Sequence, residues 1–352
     1  MSDSLVHSTA AMGTVVTIHI VGHGDSPAQR ADRQAAVERA VEWFRVIETC
    51  CTTFDDASEL RQLCARVGEP VVVSELLFQA VSVAVRVAED TDGAFDPTIG
   101  EALVARGGGA WAAAAGRSFA SLRTGAIGGV ATGAAAPAHA APPASYKDVL
   151  MDEARRTIEL RRPLMLDLGA VAKGLAVDAA ARELQSFRNF VVDAGGDLYC
   201  GGNNVAGEAW SIGVRNPRNP SELIDTVSIS DSAVCTSGDY DPKSRTADGG
   251  HHILDPRSGS TRTGRGPGRP PSAATSTHES RRTLAAGGRP DPAPSATALA
   301  SVTVIAPSAM VADALSTAAF VLGPRDGIAM LERHGVSGIM FTPTLERFET
   351  RA

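Results

Sequence analysis

Four short segments of this chain combine residue types able to bind phosphate, hold a cation or move a proton. In Asp313-Ala-Leu-Ser316-Thr317, Asp313 and Thr317 are four residues apart, which puts a carboxylate and a hydroxyl on one face of a helix. These are hard oxygen donors suited to Mg²⁺, although a carboxylate near a helix start is also a common cap. Asp167-Leu-Gly-Ala170-Val-Ala-Lys173-Gly174 reads as a strand-to-helix junction. Such a junction can present an acid, a backbone carbonyl and a lysine to an anionic ligand. Alternatively, Asp167 complements the helix dipole and Lys173 is solvated. In Thr236-Ser237-Gly238-Asp239-Tyr240, two hydroxyls precede a glycine that lets backbone approach a phosphate closely. An ordinary turn would use the same residues. His251-His252-Ile-Leu254-Asp255-Pro256 could deliver a base to a cleft from a strand end, while a His pair on a solvated surface is equally ordinary.

These segments need a scaffold, and hydropathy patterning supplies one. Residues 14 to 21 alternate as a strand. Val37, Ala40, Val41, Phe44 and Ile47 recur at helical spacing, so 33 to 49 reads as an amphipathic helix. Residues 75 to 89 fit a helix by length, although Val81, Val83, Val85 and Val87 also alternate. Residues 93 to 100 read as a structured loop. Helices are expected at 171 to 185 and 309 to 322, and strands at 189 to 193, 209 to 214, 300 to 306 and 336 to 342. Strands and helices mix without a regular βαβ repeat, so the expected class is α+β, mixed sheets with packed helices in a single unit over 1 to 352. Residues 105 to 145 are rich in Ala, Gly and Pro, and 260 to 297 in Pro, Gly, Ser, Thr and Arg. Neither stretch carries enough large apolar residues to offset its ordering entropy, so both read as mobile insertions.

Composition narrows the function further. The chain has 352 residues, 43% of them hydrophobic, which is enough for a substantial core. A net charge of −7 argues against a general nucleic-acid binder, which needs a basic face, but leaves local phosphate binding open. No apolar run approaches the roughly 20 residues that span a bilayer. The start, Met1-Ser2-Asp3, shows no basic region followed by an apolar one, and no early Cys could carry a lipid. Five scattered cysteines have no zinc spacing, so a reduced, cytoplasmic protein is expected.

Taken in order, the segments resemble the FAD:protein FMN transferases, the flavin transferase or ApbE family. They are Met12-Gly-Thr14, Phe54-Asp-Asp-Ala-Ser-Glu-Leu60, Asp92-Gly-Ala94-Phe95-Asp96-Pro-Thr-Ile-Gly100, Leu166-Asp167 to Asp178, Asp193-Ala-Gly-Gly-Asp197, Thr236 to Tyr240, His252 to Gly259, and Ala312-Asp313 to Ala318. Each is modest alone, whereas eight in order are specific. The resemblance implies FAD-binding positions at Met12, Phe54, Ala94, Phe95, Asp96, Asp167, Lys173 and Leu254, to which the hydroxyl–glycine pattern adds Ser237 and Gly238. It implies Mg²⁺ ligands at Asp313, Thr317 and the Ala170 carbonyl, with Ser316 adjacent, and a catalytic base at His252. An aromatic at 54 would stack on a flat ring.

The implied reaction joins FMN from FAD to a Thr or Ser hydroxyl of an acceptor flavoprotein and releases AMP. Two alternatives use the same residues: hydrolysis of FAD to FMN and AMP with water as acceptor, and non-catalytic FAD binding. The chain departs from the family pattern in its long 260 to 297 stretch and in the Ala-rich sequence that follows Gly100. Deleting residues 262 to 296 is expected to leave FAD affinity and Tm nearly unchanged, because a low-complexity loop contributes little burial and its shortening changes closure entropy only slightly. Calorimetry and thermal unfolding of the deletion variant check this.

Overall fold

The computed structural model describes residues 4–22, 26–105, 143–240, 253–257 and 299–351. Most of both expected insertions, and His252, lie outside the described residues. The chain opens with strands β1 (Leu5–Ala11) and β2 (Thr14–Ile20), then helices α1 (Pro27–Cys51) and α2 (Glu59–Cys64), strand β3 (Pro70–Val72), and helices α3 (Glu75–Asp90) and α4 (Gly100–Ala105). Strands β4 (Val149–Asp152) and β5 (Thr157–Leu160) precede helix α5 (Gly169–Leu184). Strands β6 (Phe190–Ala194), β7 (Asp197–Gly201), β8 (Trp210–Arg215), β9 (Leu223–Ile229), β10 (Ser232–Gly238) and β11 (Ser301–Ala306) follow. Helices α6 (Ala309–Leu322) and α7 (Pro324–Arg333) and strands β12 (Ser337–Phe341) and β13 (Arg347–Glu349) complete it.

Eight strands form one antiparallel sheet in the order β1-β2-β6-β7-β10-β11-β12-β13. Period-two alternation gives it two apolar faces. Val16, Ile18, Phe190, Val192, Cys235, Val302 and Val304 point to the helices and join the main core. Leu198, Cys200, Val234, Ile339 and Phe341 point the other way and are covered by the separate β8–β9 ribbon through Trp210, Val214, Val227 and Ile229. The α+β class expected from the sequence is the class observed.

Helix α3 resolves the one ambiguous segment. Leu77, Ala80, Val81, Ala84, Val85 and Ala88 are its buried stripe, so spacing of three and four overrides the valine alternation. Its start is capped by Ser74, whose side chain accepts from the Leu77 N–H. Helix α1 starts six residues before the expected boundary, at Pro27, because Ser26 and Gln29 form a capping box. The Thr236-Ser237 pair belongs to a strand, not a turn, and Asp313 is four residues inside a helix whose cap is Ser308. All five cysteines are free thiols. Among the described residues, no helix is long and apolar enough to cross a membrane.

Two side chains decide how α5 meets α6. A Cβ on Gly174 would lie 2.4 Å from the Ala309 carbonyl oxygen, so only glycine allows this approach. Asp178 on α5 then caps α6. It accepts from the Ser308 hydroxyl at 2.6 Å and from the Ala309 and Met310 N–H groups at 2.7 and 3.0 Å. These are the orphan donors of a helix start, which favours negative charge. Asp178→Ala should lower unfolding stability by about 1–3 kcal/mol, measured by urea denaturation, since buried donors lose their acceptor. Gly174→Val should destabilise through overpacking, by about 1–3 kcal/mol or more.

Candidate active site: a cleft between two helices and the sheet

The α5–α6 approach brings together residues far apart in sequence. Lys173 projects from α5 and bonds Asp197 at 2.5 Å and Asp313 at 3.3 Å. Asp197 starts β7 and Asp313 lies on α6, so one ammonium ties three elements. Both carboxylates are buried, while Lys173 is partly exposed to the cleft. Burial alone would lower the Lys173 ammonium, but the flanking Asp197 and Asp313 outweigh it and hold the lysine charged. Burial pushes the Asp313 carboxyl up, against the pull of Lys173. Asp313 Oδ2 also accepts from the Gly174 N–H at 3.3 Å.

A hydroxyl cluster stands beside this ion group. Ser237 on β10 lies 2.7 Å from the Ser316 hydroxyl and 3.0 Å from that of Thr317. Ser316 is fully buried and donates to the Asp313 carbonyl at 2.9 Å, so it supports the helix wall instead of facing the cleft. Thr236 bonds Thr303 on the neighbouring strand at 2.9 Å, and its N–H donates to Asp197.

These groups line a cleft of about 400 Å³. Its walls include Ala94, Phe95, Asp96, Asp167, Ala170, Lys173, Ser237, Gly238, Leu254, Asp313 and Thr317, so eleven residues singled out from sequence meet here. Met12, Phe54 and Ser316 are not among its lining. Met12 sits with φ +49° at the β1–β2 turn, where its N–H donates to Glu48 near the end of α1. Phe54 is exposed in the loop just after that helix. The two thus share one corner of the fold. Thr14 packs against Gly195, which does line the cleft. His252 lies outside the described residues, and Ile253 and Leu254, which follow it, line the cleft.

Asp96 is a structural acid as well as a wall. It accepts from the Thr98 N–H and hydroxyl at 2.9 and 2.7 Å and from the Tyr146 N–H at 3.0 Å, which fixes the 93–100 loop. Asp197, Arg215, Pro220 and Tyr240 also line the cleft and were not among the expected site residues. Asp197 and Tyr240 carried a signal, because both sit inside quoted motifs. Arg215 and Pro220 carried none.

Among the described residues, Asp167 is the one ionisable cleft group with a buried oxygen that lacks a hydrogen-bond partner. Its Oδ1 accepts from the Gly169 N–H at 3.0 Å, while Oδ2 is buried without a partner. Burial raises the carboxyl from an ordinary 3.8 to about 6. The folded state then holds this proton more tightly than the unfolded chain, so stability falls as pH rises from about 4 to 6 and stays lower above. In Asp167→Asn that loss is absent. The Tm of the variant relative to wild type should therefore rise between pH 4 and pH 7, as measured by thermal unfolding across that range.

Comparison with known proteins agrees with this geometry. The ApbE family model matches residues 12–265 and 290–340. The chain is 26% identical over 360 residues to a FAD:protein FMN transferase of Klebsiella pneumoniae, covering 99% of this chain and 87% of that protein. A 26% match to the enzyme of the same name from Haemophilus influenzae covers 53% of this chain and 46% of that protein. The crystal structure of the ApbE protein of Thermotoga maritima superposes with a TM-score of 0.70 at 26% identity, over 99% of this chain and 97% of that one. The flavin transferase ApbE of Vibrio cholerae has the same fold, with a TM-score of 0.69. With a family match over most of its length, this fold and this cleft, the chain belongs to the ApbE family, the flavin transferases.

Proposed function

We propose that this chain transfers the FMN half of FAD to a Thr or Ser hydroxyl of an acceptor flavoprotein, releases AMP, and uses Mg²⁺ in doing so. The observation that carries the proposal is the convergence of Asp313, Thr317, Ala170 and Lys173 on one cleft. The same cleft holds the orphaned acceptor of Asp167 and the hydroxyl of Ser237.

The residues fit a hard divalent cation. Asp313 supplies a carboxylate and Thr317 a hydroxyl on one helix face. An α-helix ordinarily directs the Gly174 N–H at the Ala170 carbonyl, yet this N–H also reaches Asp313. A carbonyl oxygen has two lone pairs, so the Ala170 carbonyl can accept a further partner beside its helical bond. When bound, the cation would offset charge on the pyrophosphate and on the departing AMP. Lys173, kept charged by Asp197 and Asp313, holds a further positive charge beside the same phosphates. The acceptor hydroxyl oxygen forms a bond to the FMN phosphorus, the bond from that phosphorus to the AMP oxygen breaks, and His252 takes the hydroxyl proton.

Asp313→Ala should abolish transfer while reducing FAD affinity only modestly, because the walls around Phe95 and Leu254 remain. Loss of such charge stabilisation typically costs about 3–4 kcal/mol of barrier, roughly two to three orders of magnitude in rate. In-gel flavin fluorescence of an acceptor protein, with FAD and Mg²⁺ supplied, is the assay. Transfer at the wild-type rate would refute the metal assignment, and FMN release without an acceptor would mark a hydrolase. His252→Ala should also slow transfer, with a defect that shrinks as pH rises and the hydroxyl ionises more easily.

A further inference from the structure

Among the described residues that line the cleft, the carboxylates of Asp96, Asp167, Asp197 and Asp313 are accompanied by two cationic side chains, Lys173 and Arg215. Lys173 is already matched by two carboxylates. Arg215 is not: among the described residues, no carboxylate lies within ion-pair distance of its guanidinium. Burial raises the Asp193 carboxyl, and the charge of Arg215 pulls against that.

Arg215 is the last residue of β8 and lines the cleft. Along β8, Trp210, Ile212 and Val214 face the sheet and pack in the second core, so strict alternation sends residue 215 to solvent. The pairing is irregular there. Val214 opposes Asp225, Arg215 opposes Leu223, and Ile224 is skipped. The extra residue is on β9, so β9 is the strand that bends there, beside the end of β8 that carries Arg215. The loop that follows is pinned at the cleft by Arg218, which makes a two-pronged ion pair with Asp239 at 2.8 and 3.0 Å. Pro220 of that loop also lines the cleft. Arg215 thus stands at a braced end of the ribbon and lines the same cleft as Lys173.

We propose that Arg215 binds a phosphate oxygen of the nucleotide substrate in the cleft it shares with Lys173, and so helps fix the pyrophosphate. This rests on the cleft being the FAD site proposed above. A guanidinium suits the role, because its planar donors match phosphate oxygens and it stays charged at any working pH. A carboxylate on the acceptor protein is the competing anion. The cleft chemistry favours phosphate, because four acids line it and Lys173 is flanked by two of them, so a dinucleotide gains from a further cation.

The experiment measures binding of FAD, ADP and riboflavin by calorimetry to wild type, Arg215→Ala and Arg215→Lys. Arg215 is exposed, so the variants should fold, and unchanged Tm verifies it. Arg215→Ala should weaken FAD and ADP about ten- to hundredfold, the effect of losing a charge-assisted hydrogen bond. It should leave riboflavin, which has no phosphate, unaffected, and Arg215→Lys should restore part of the loss. Added salt should weaken FAD binding less steeply in Arg215→Ala than in wild type. FAD affinity unchanged in Arg215→Ala would overturn the proposal, as would a defect seen only in the KM for the acceptor protein. Failure of the wild type to bind either FAD or ADP would instead overturn the reading of the cleft itself.

Discussion

Lys173 sits between two buried aspartates, and that placement constrains everything around it. Removing Asp197 and Asp313 from water is costly, and only a cation at hydrogen-bond distance from both offsets the cost. The ammonium can reach both only if α5, α6 and β7 converge. Gly174 permits that convergence, because any side chain there would collide with the start of α6. Asp178, one turn further along α5, then holds α6 by the unpaired N–H groups of its first turn. The site and the packing of the helices are therefore one arrangement.

The oxygen-rich wall follows from the same geometry. Once α6 is fixed, Ser316 and Thr317 face the end of β10, and Ser237 lies within 3.0 Å of both hydroxyls. Ser316 bonds inward to its own helix, which leaves Thr317 as the hydroxyl toward the cleft. On the sheet's other face the β8–β9 ribbon is held by apolar contacts around Trp210 and by two ion pairs, Arg218 with Asp239 and Arg347 with Asp225. Asp239 thus has a mechanical part in the Thr236–Tyr240 segment, beside whatever its neighbours do for a ligand. The ribbon is not merely cover for the sheet, since its far end furnishes part of the cleft.

Local patterning made the elements legible. The α6 boundaries were readable because Ser308 caps the start and Gly323, with φ +84°, ends it. The α3 helix was readable from length, and its buried stripe shows why length was the better guide than alternation. Strand β1 escaped, because Leu5–Ala11 is an edge strand with small and polar residues and little apolar signal. The β8–β9 ribbon was half seen, since β9 alternates only weakly. The Asp167 junction was read as strand-to-helix, yet before α5 the chain makes only an isolated bridge, Met165 to Ile99.

By itself, the sequence determined the residue types and their order: the Asp313 and Thr317 pair one helical turn apart, the Asp167-to-Lys173 junction, the hydroxyls before Gly238, and the family they spell together. Such features are local, set by spacing of a few residues, and spacing within a helix or strand fixes which side chains share a face. Only the tertiary structure decided who meets whom. Lys173 finds Asp313 across 140 positions of chain, and Ser237 finds Thr317 across 80. Phe54, expected to stack on a ring, lies in an exposed loop outside the cleft lining, while Arg215 lines the cleft from the end of β8. Those outcomes depend on how far helices approach, on where a strand slips register, and on which charge another charge neutralises. They are energies of the packed whole, and no window of neighbouring residues contains them.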